Sequence, residues 1–216
     1  MYRILIICLL IFTSCKQENP QKEDTLSKKI ANAHGLKHWD KVLEFHFTFN
    51  VDKDSSNFQR SWIWKPKTNK VTMLTKRDTI TYSTYKIEQE SLNADRAFTN
   101  DKYWALFPFQ LVWDSSATLG ETSLAEAPIS KKQLNKVTLT YPAKGGYTPG
   151  DAYDIYYDGN YAIQEWVFRE GNATEPSMIN TFENYKDYNG IKIAQDHKKA
   201  KGNWNLNFTN IKVITQ

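Results

Sequence analysis

The chain has 216 residues, the size of one ordinary domain or at most two small ones. With 40% hydrophobic and 24% charged residues it is typical of a folded globular protein, and intrinsic disorder is excluded. The formal net charge is only +4 and no long basic run is present, so we expect no nucleic-acid partner.

The first fifteen residues, MYRILIICLLIFTSC, have the pattern of a bacterial lipoprotein leader. Arg3 precedes nine apolar residues, which are too few for the roughly 20 that span a membrane but typical of the apolar part of a signal peptide. Two small residues then precede Cys15, as in a lipobox, although Phe12 stands where that motif usually has an aliphatic residue. We expect a lipoprotein signal peptide over residues 1–14 and an acyl anchor such as palmitate on Cys15. The alternative is a plain signal peptide that ends near Cys15.

Residues 15–24 are polar and charged, with one proline and no apolar periodicity. This composition predicts a flexible tether between the lipidated cysteine and the folded domain. Cys8 would leave with the leader, which excludes a disulfide framework and a cysteine metal site in the mature chain. The predicted protein is a monomer in the envelope of a Gram-negative-type bacterium, with a membrane, most simply the outer membrane, as its partner.

A helix is predicted over residues 25–34, because apolar residues recur there at helical spacing, Asp24 or Thr25 can cap its start, and Gly35 can end it. The period then changes to two. In VLEFHFTFNV, residues 42–51, large apolar side chains alternate with polar ones, which is the strongest strand pattern in the chain.

The rest of the chain reads mainly as strands separated by turn residues. Residues 91–107 predict one or two short helices before Pro108, so that YWALFPFQLVW (103–113) would pass from a helix into a strand. Residues 115–135 form a long polar connection, which is a candidate lid or a partly paired segment. The further predicted strands are 58–66, 71–75, 78–87, 110–114, 136–142, 152–158, 161–170, 177–187, 191–200 and 203–214.

About ten strands and few helices predict a mainly β protein. Many consecutive antiparallel strands cannot stay flat, because each pair adds twist. We therefore expect a curled antiparallel sheet, or incomplete β-barrel, capped by one to three helices. Such a shape can enclose an apolar cavity under its cap.

Several motifs together resemble a known group. They are the leader, the early AHG-containing helix, the YW–PF–L–W run, and the block YPAKGGYTPGDAYDIYYD…EWVFREG…ENYKDYNGIKIAQDH. They resemble a family of uncharacterised envelope lipoproteins, which is similar to the periplasmic lipoprotein carriers with a LolA-like or LolB-like fold. The resemblance covers most of residues 30–214 and implies one LolA-like half-barrel domain over 25–216, a fold that holds acyl chains in its cavity. A resemblance of folds does not transfer a function.

Enzyme motifs are missing from the sequence. There is no G-x-S-x-G elbow, no P-loop and no H-E-x-x-H, so we expect a protein that is not an enzyme. His34 and His38 have the spacing of two metal ligands, but Gly35 lies between them and no third ligand is evident. We expect no metal and no cofactor. His46 falls on the polar face of its strand, and a hydrolase would need His46 or His197 to meet two carboxylates in one cleft.

Two features of the C-terminal half have both a structural and a functional interpretation. Four acidic residues could bind calcium or do acid–base work, but their spacing lacks the pattern of a calcium loop and favours turn chemistry. They are Asp151, Asp154, Asp158 and Glu165. The glycine pairs around Tyr147 predict an irregular loop, either a wide hairpin connection or a rim loop that controls access to a cavity.

The aromatic side chains are the candidate ligand-binding residues. We predict a protein that binds or carries a lipid or another hydrophobic ligand without catalysis. If the same side chains instead fill the interior, the alternative is a structural lipoprotein that docks an envelope protein or a glycan. The shape of the interior, open or filled, separates the two. The predicted cavity wall consists of Phe45, Phe47, Trp62, Trp64, Trp104, Phe107, Phe109 and Trp113.

Overall fold

The computed structural model describes residues 24–216. The predicted signal peptide, Cys15 and all of the predicted tether except its last residue lie outside the described residues. The α-helices are α1 (Leu26–Ala33), α2 (Leu92–Ala105) and α3 (Phe107–Trp113). The strands are β1 (Val42–Lys53), β2 (Ser56–Lys65), β3 (Lys70–Leu74), β4 (Thr79–Ser83), β5 (Thr118–Leu119), β6 (Ser123–Glu126), β7 (Gln133–Thr140), β8 (Ala152–Tyr157), β9 (Ile163–Arg169), β10 (Met178–Thr181), β11 (Glu183–Tyr188), β12 (Ile191–Lys198) and β13 (Asn205–Thr215).

The strands form two antiparallel sheets. The seven-stranded sheet has the order β11-β12-β13-β1-β2-β3-β4, and the six-stranded sheet has the order β10-β9-β8-β7-β5, with β6 also paired to β7. The sheets do not close into a barrel. The prediction of a mainly β protein with curled antiparallel strands and few helices is therefore confirmed. The long polar connection is partly paired, since it contributes β5 and β6.

Helices α2 and α3 pack between the two sheets. Leu106 and Phe109 belong to the apolar cluster of the seven-stranded sheet, whereas Tyr103 and Phe107 belong to that of the six-stranded sheet. Trp104 packs against both clusters. The centre of the described structure is therefore filled with aromatic side chains.

The predicted strand over residues 110–114 is wrong, because helix α3 occupies Phe107–Trp113. Pro108 lies in its first turn, where a missing N–H costs nothing and the fixed φ favours a helix. The sequence of residues 107–113 shows no helical period of apolar residues, because α3 is buried on two opposite sides. Phe107 and Leu111 pack on one sheet, and Phe109 packs on the other.

The predicted strand over residues 177–187 is also inaccurate, because the chain changes sheets within it. Residues up to Thr181 pair with β9 in the six-stranded sheet, and residues from Glu183 pair with β12 in the seven-stranded sheet. Phe182 lies between them and is buried against both Trp166 and Phe107. Apolar and polar residues do not alternate regularly through this change, so the sequence pattern does not reveal it.

Helix α1 is confirmed, with Thr25 as its N-cap. Gly35 follows the helix with a φ of 97°, a conformation that favours glycine. A Cβ atom at this position would overlap the Gly190 carbonyl oxygen in the turn between β11 and β12. The His34 carbonyl also accepts a hydrogen bond from the Lys192 N–H at 2.9 Å. The end of α1 is therefore fixed against the edge of the seven-stranded sheet.

Candidate functional site: an apolar groove on the seven-stranded sheet

The inner face of the seven-stranded sheet is built from rows of directly paired residues. Strand pairing places Phe47, Trp62, Met73 and Ile80 in one row. Directly opposite residues in antiparallel strands point to the same face, so these four side chains line one surface. A second row consists of Phe45, Trp64, Val71 and Tyr82.

Helix α2 covers only part of this face. The Phe98 ring lies 5.3 Å from the Trp62 ring and 5.5 Å from the Trp64 ring, which seals the sheet at that point. Further towards its N-terminus, α2 presents Ala94 and Ala97, whose short side chains leave room above the strands. Coverage of the sheet is therefore incomplete at the end where β2, β3 and β4 meet.

The uncovered part of the sheet is an open apolar groove of about 650 Å³. Its apolar lining comes from Phe58, Met73 and Ile80 on the strands and from the two alanines of α2. Phe58 is 49% exposed, which is unusual for a phenylalanine on the inner face of a sheet. The volume is within the range of about 300–1,000 Å³ that small-molecule sites occupy.

An ion pair closes the inner end of the groove. Arg60 donates from Nε to Asp101 Oδ2 at 2.5 Å and from Nη2 to Asp101 Oδ1 at 2.6 Å, while Trp62 Nε1 donates to Oδ2 at 2.8 Å. Asp101 is fully buried. The guanidinium also lies 5.2 Å from the centre of the Phe58 ring. These bonds attach α2 to β2 and so fix the width of the groove.

The predicted cavity-wall residues divide into two groups. Five of them are almost completely buried in the packed interior, namely Phe45, Phe47, Trp62, Phe107 and Phe109. Trp104 is partly buried between the two clusters. Trp64 and Trp113 line a separate open pocket of about 550 Å³, beside Trp39. The binding role of all eight residues stays a prediction.

The apolar groove uses residues that the sequence reasoning did not select. Phe58 carried a usable signal, because it lies on the same face of β2 as Trp62 and Trp64, four and six residues further on. No such signal marked Met73 and Ile80 in the sequence, since an ordinary apolar residue in a strand most often belongs to the hydrophobic core. Their position in the groove depends on where α2 stops covering the sheet.

The imidazoles of His34 and His38 each contact other parts of the described chain. His34 is buried, and its Nδ1 is 2.8 Å from the Ile30 carbonyl oxygen. The His38 ring packs on Gly190. Within residues 24–216, no group of three or more metal-ligating side chains lies close together. His46 contacts Glu44 at 2.7 Å and is partly exposed.

His197 is enclosed by aromatic rings and does not meet two carboxylates in a cleft. Its ring lies 4.5 Å from that of Phe182, 5.5 Å from that of Trp104 and 5.6 Å from that of Phe208. Burial lowers the pKa of His197 to about 3, and burial likewise lowers the pKa of His34 to about 4. Both side chains are therefore neutral parts of the core near neutral pH.

The four acidic residues of the C-terminal half have structural partners. Asp158 accepts hydrogen bonds from the Asn160 and Ala162 N–H groups in its own turn, as turn chemistry predicts. Asp151 accepts from the Gly171 N–H. The other two carboxylates are buried. Asp154 lies 3.3 Å from Arg169 Nε, and Glu165 accepts from the N–H groups of Ile129 and Ser130.

Comparisons with known proteins give a structural likeness at low identity. No family model matches the sequence, and no curated protein matches it. The structure is similar to a LolA superfamily protein from Nitrosomonas europaea, with 10% identity, a TM-score of 0.47, and coverage of 89% of this chain and 96% of that one. It is also similar to a DUF1329 family protein from Desulfovibrio piger, with 10% identity, a TM-score of 0.44, and coverage of 88% and 94%.

The sequence motifs resemble a group of uncharacterised envelope lipoproteins, and the first of these structures carries the name of the LolA fold to which that group is similar. Among residues 24–216, no helix combines the length and the apolar character needed to cross a membrane.

Replacing Asp101 by asparagine should destabilise the protein strongly. The Asp101→Asn variant leaves the Arg60 guanidinium without its buried counter-charge, which typically costs about 3 kcal/mol or more. Glu183→Gln is the matched control, because Glu183 pairs with Lys198 at 2.9 Å in an exposed position where a pair contributes about 1 kcal/mol or less. Urea unfolding measures both, and equal losses would contradict the assigned role of Asp101.

Acid should destabilise the protein through its buried histidines. The unfolded chain takes up a proton on each histidine near its ordinary pKa, whereas burial keeps His197 neutral down to about pH 3. The contribution of His197 to the free energy of unfolding is therefore fully present above about pH 6.5 and is lost as the pH decreases towards 3. Between about pH 7 and pH 4 this one residue should cost about 3 kcal/mol.

The variant His197→Phe isolates this contribution. It keeps an aromatic ring among the neighbouring rings but cannot be protonated. Urea unfolding at both pH values should show a smaller loss for the variant than for the wild-type protein. The carboxylates contribute equally to both proteins, so identical losses would refute the effect of His197.

Proposed function

We propose that this protein binds a lipid or another apolar molecule in the groove on the seven-stranded sheet and has no catalytic role. The observation that carries the proposal is the open apolar surface of Phe58, Met73 and Ile80 beneath the alanines of α2. Removing this surface from water gains about 25 cal/mol for each Å² buried. An alkyl chain bound in the groove would cover this surface without moving the strands.

The groove favours an elongated ligand with one polar end. Its inner end is closed by Arg60 and Asp101, which are already paired with each other. Lys76 and Arg77 lie among the residues at the rim, together with the Glu90 carboxylate. An acyl chain lying on the apolar floor would place an anionic headgroup near these two cations, which suit carboxylate or phosphate oxygens.

We also propose that Cys15 carries a lipid anchor in the cell envelope. The support is the leader of residues 1–14, with its short apolar run and the small residues before the cysteine. An anchored binding protein would meet its ligand at a membrane surface, where apolar ligands are concentrated. The outer membrane is the proposed location.

The alternative proposal, a docking lipoprotein, is favoured by the packed centre of the molecule. Helices α2 and α3 occupy the space that a carrier cavity would use, so any ligand must bind at the periphery. Tyr85 and Leu124 are 89% and 74% exposed and offer apolar contacts to a partner. We rank this function second because the groove gives a ligand a defined site.

The variant Ile80→Glu should lose the apolar ligand. A carboxylate on the floor of the groove would have to be desolvated by an alkyl chain, so we expect the affinity for a fluorescent long-chain fatty acid to fall at least about tenfold. Thr81→Glu is the matched control, because it adds the same charge to the opposite face of β4. It should bind like the wild-type protein.

Two results would overturn the binding proposal. One is the absence of fatty-acid uptake by the wild-type protein, together with no apolar molecule in organic extracts of gently purified protein. The other is equal binding by Ile80→Glu and Thr81→Glu. Mass spectrometry of the extracts and fluorescence titration provide the measurements.

The variant Cys15→Ser should release the protein from membranes or leave an uncleaved precursor. Serine cannot form the thioether to the diacylglycerol, and the lipoprotein signal peptidase requires the cysteine. Fractionation of cells and the mass of the mature N-terminus test this outcome. Unchanged processing and membrane association would refute the anchor without affecting the groove.

A further inference from the structure

A second open pocket is lined by three tryptophans. It has a volume of about 550 Å³ and lies between the end of α3 and the segment before β1. Its walls include Trp39, Trp64 and Trp113, together with Lys102, Gln110 and Asp114. None of its lining residues is shared with the apolar groove. These three tryptophans define the tryptophan pocket.

The three indole rings are inclined to one another. Trp39 and Trp64 lie 5.3 Å apart at 40°, Trp39 and Trp113 lie 5.1 Å apart at 60°, and Trp64 and Trp113 lie 6.4 Å apart at 86°. No two of them are parallel, so they cannot form a slot for a flat aromatic ligand. A pyranose ring is thicker, and its C–H groups can contact inclined π faces, whose negative potential attracts them.

Gln110 supplies a buried polar group that lacks a partner. Its side chain is only 6% exposed and lines the pocket. Its Nε2 atom forms no hydrogen bond with any residue in the described part of the chain. A buried amide left unpaired costs about 1–3 kcal/mol, so a ligand oxygen would gain affinity by accepting this hydrogen bond once the covered Nε2 turns towards the pocket. This favours a ligand rich in hydroxyl or carboxylate oxygens.

Lys102 gives the pocket a positive charge. Its ammonium lies 5.5 Å from the centre of the Trp64 ring and 5.8 Å from that of Phe98. Burial lowers the pKa of Lys102, and the charge of Asp95 acts in the opposite direction. An ammonium already lies over the Trp64 ring, so the pocket disfavours a cationic ligand and favours an anionic one.

Asp114 also lines the pocket and keeps its negative charge, so an anionic group must bind on the Lys102 side, away from this carboxylate. Oδ1 accepts hydrogen bonds from the backbone N–H and the hydroxyl of Ser116, and Oδ2 accepts from the Tyr147 N–H at 3.1 Å. The last bond attaches the glycine-rich loop to the mouth of the pocket, where Gly146 lines it. The loop considered from the sequence as a rim loop thus borders this pocket.

We propose that the tryptophan pocket binds a pyranose sugar that carries an anionic group. In this arrangement the exposed edges and faces of the indole rings contact one face of the sugar, the Gln110 amide donates to a ring substituent, and Lys102 pairs with the carboxylate or phosphate. The site would let the protein hold an acidic glycan. It does not depend on the proposal for the apolar groove.

A titration series with one sugar skeleton tests the proposal. Glucose, glucuronate and glucose 6-phosphate are titrated into the purified full-length protein by calorimetry, up to about 10 mM, where a site with a Kd near 1 mM would be mostly filled. We expect at least one of the two anionic sugars to bind about tenfold more tightly than glucose, and which of them binds distinguishes a carboxylate from a phosphate ligand. The absence of binding by both, or equal binding of all three, would overturn the proposal.

Two variants with a matched control assign the binding to this pocket. Lys102→Met removes the charge but keeps a long apolar side chain, so it should abolish the preference for the anionic sugar while the unfolding midpoint is retained. Trp113→Leu should weaken binding about fivefold or more. Tyr85→Leu removes an aromatic ring that is 89% exposed and outside the pocket, and should change nothing.

The groove variant Ile80→Glu separates the two proposals. It should lose fatty-acid binding and keep sugar binding, because the two sites share no lining residue. If Trp113→Leu does not fold, Lys102→Met still decides the question. A preference for the anionic sugar that survives in Lys102→Met would refute the site.

Discussion

The architecture depends on the burial of helices α2 and α3 between two aromatic sheet faces. Phe107 contacts Trp166 and Phe182 of one sheet region, while Phe109 faces the cluster that contains Phe45 on the other. Each large side chain buried in this way contributes about 1.5–3 kcal/mol. Within residues 24–216 the two sheets share no continuous ladder of backbone hydrogen bonds, so these side-chain contacts are a main connection between them.

A filled centre moves the open space to the periphery. Helix α2 packs closely on the sheet where Phe98 contacts the tryptophans of β2. It leaves a groove where the residues that face the sheet are alanines. The tryptophan pocket opens where α3 ends at Trp113. The glycine-rich loop around Tyr147 borders the mouth of this pocket. Both candidate sites are thus consequences of where the helices stop covering the sheets.

Buried polar groups give the helical layer a defined position. Apolar packing alone tolerates small shifts of a helix over a sheet, whereas Asp101 must reach both Arg60 and Trp62 with hydrogen-bond geometry. His197 lies in the same interior as a neutral side chain among aromatic rings. Gln110 differs from Asp101, because its amide nitrogen has no protein partner in the described residues, and unlike His197 it lines an open pocket. This difference is why it indicates a ligand.

Local patterns in the sequence determined the mainly β class, helix α1 with its cap, the long alternating strand β1 and most of the hairpins, because each depends on neighbouring residues. They did not determine that residues 107–113 form a helix or that the chain changes sheets at Phe182, since a segment buried on opposite sides shows no useful period. The sites were least predictable. Phe58, Met73 and Ile80 become a groove, and Trp39 joins Trp64 and Trp113, only through the placement of α2 and α3. That placement is set by long-range packing and by the Asp101 ion pair, which no local pattern encodes.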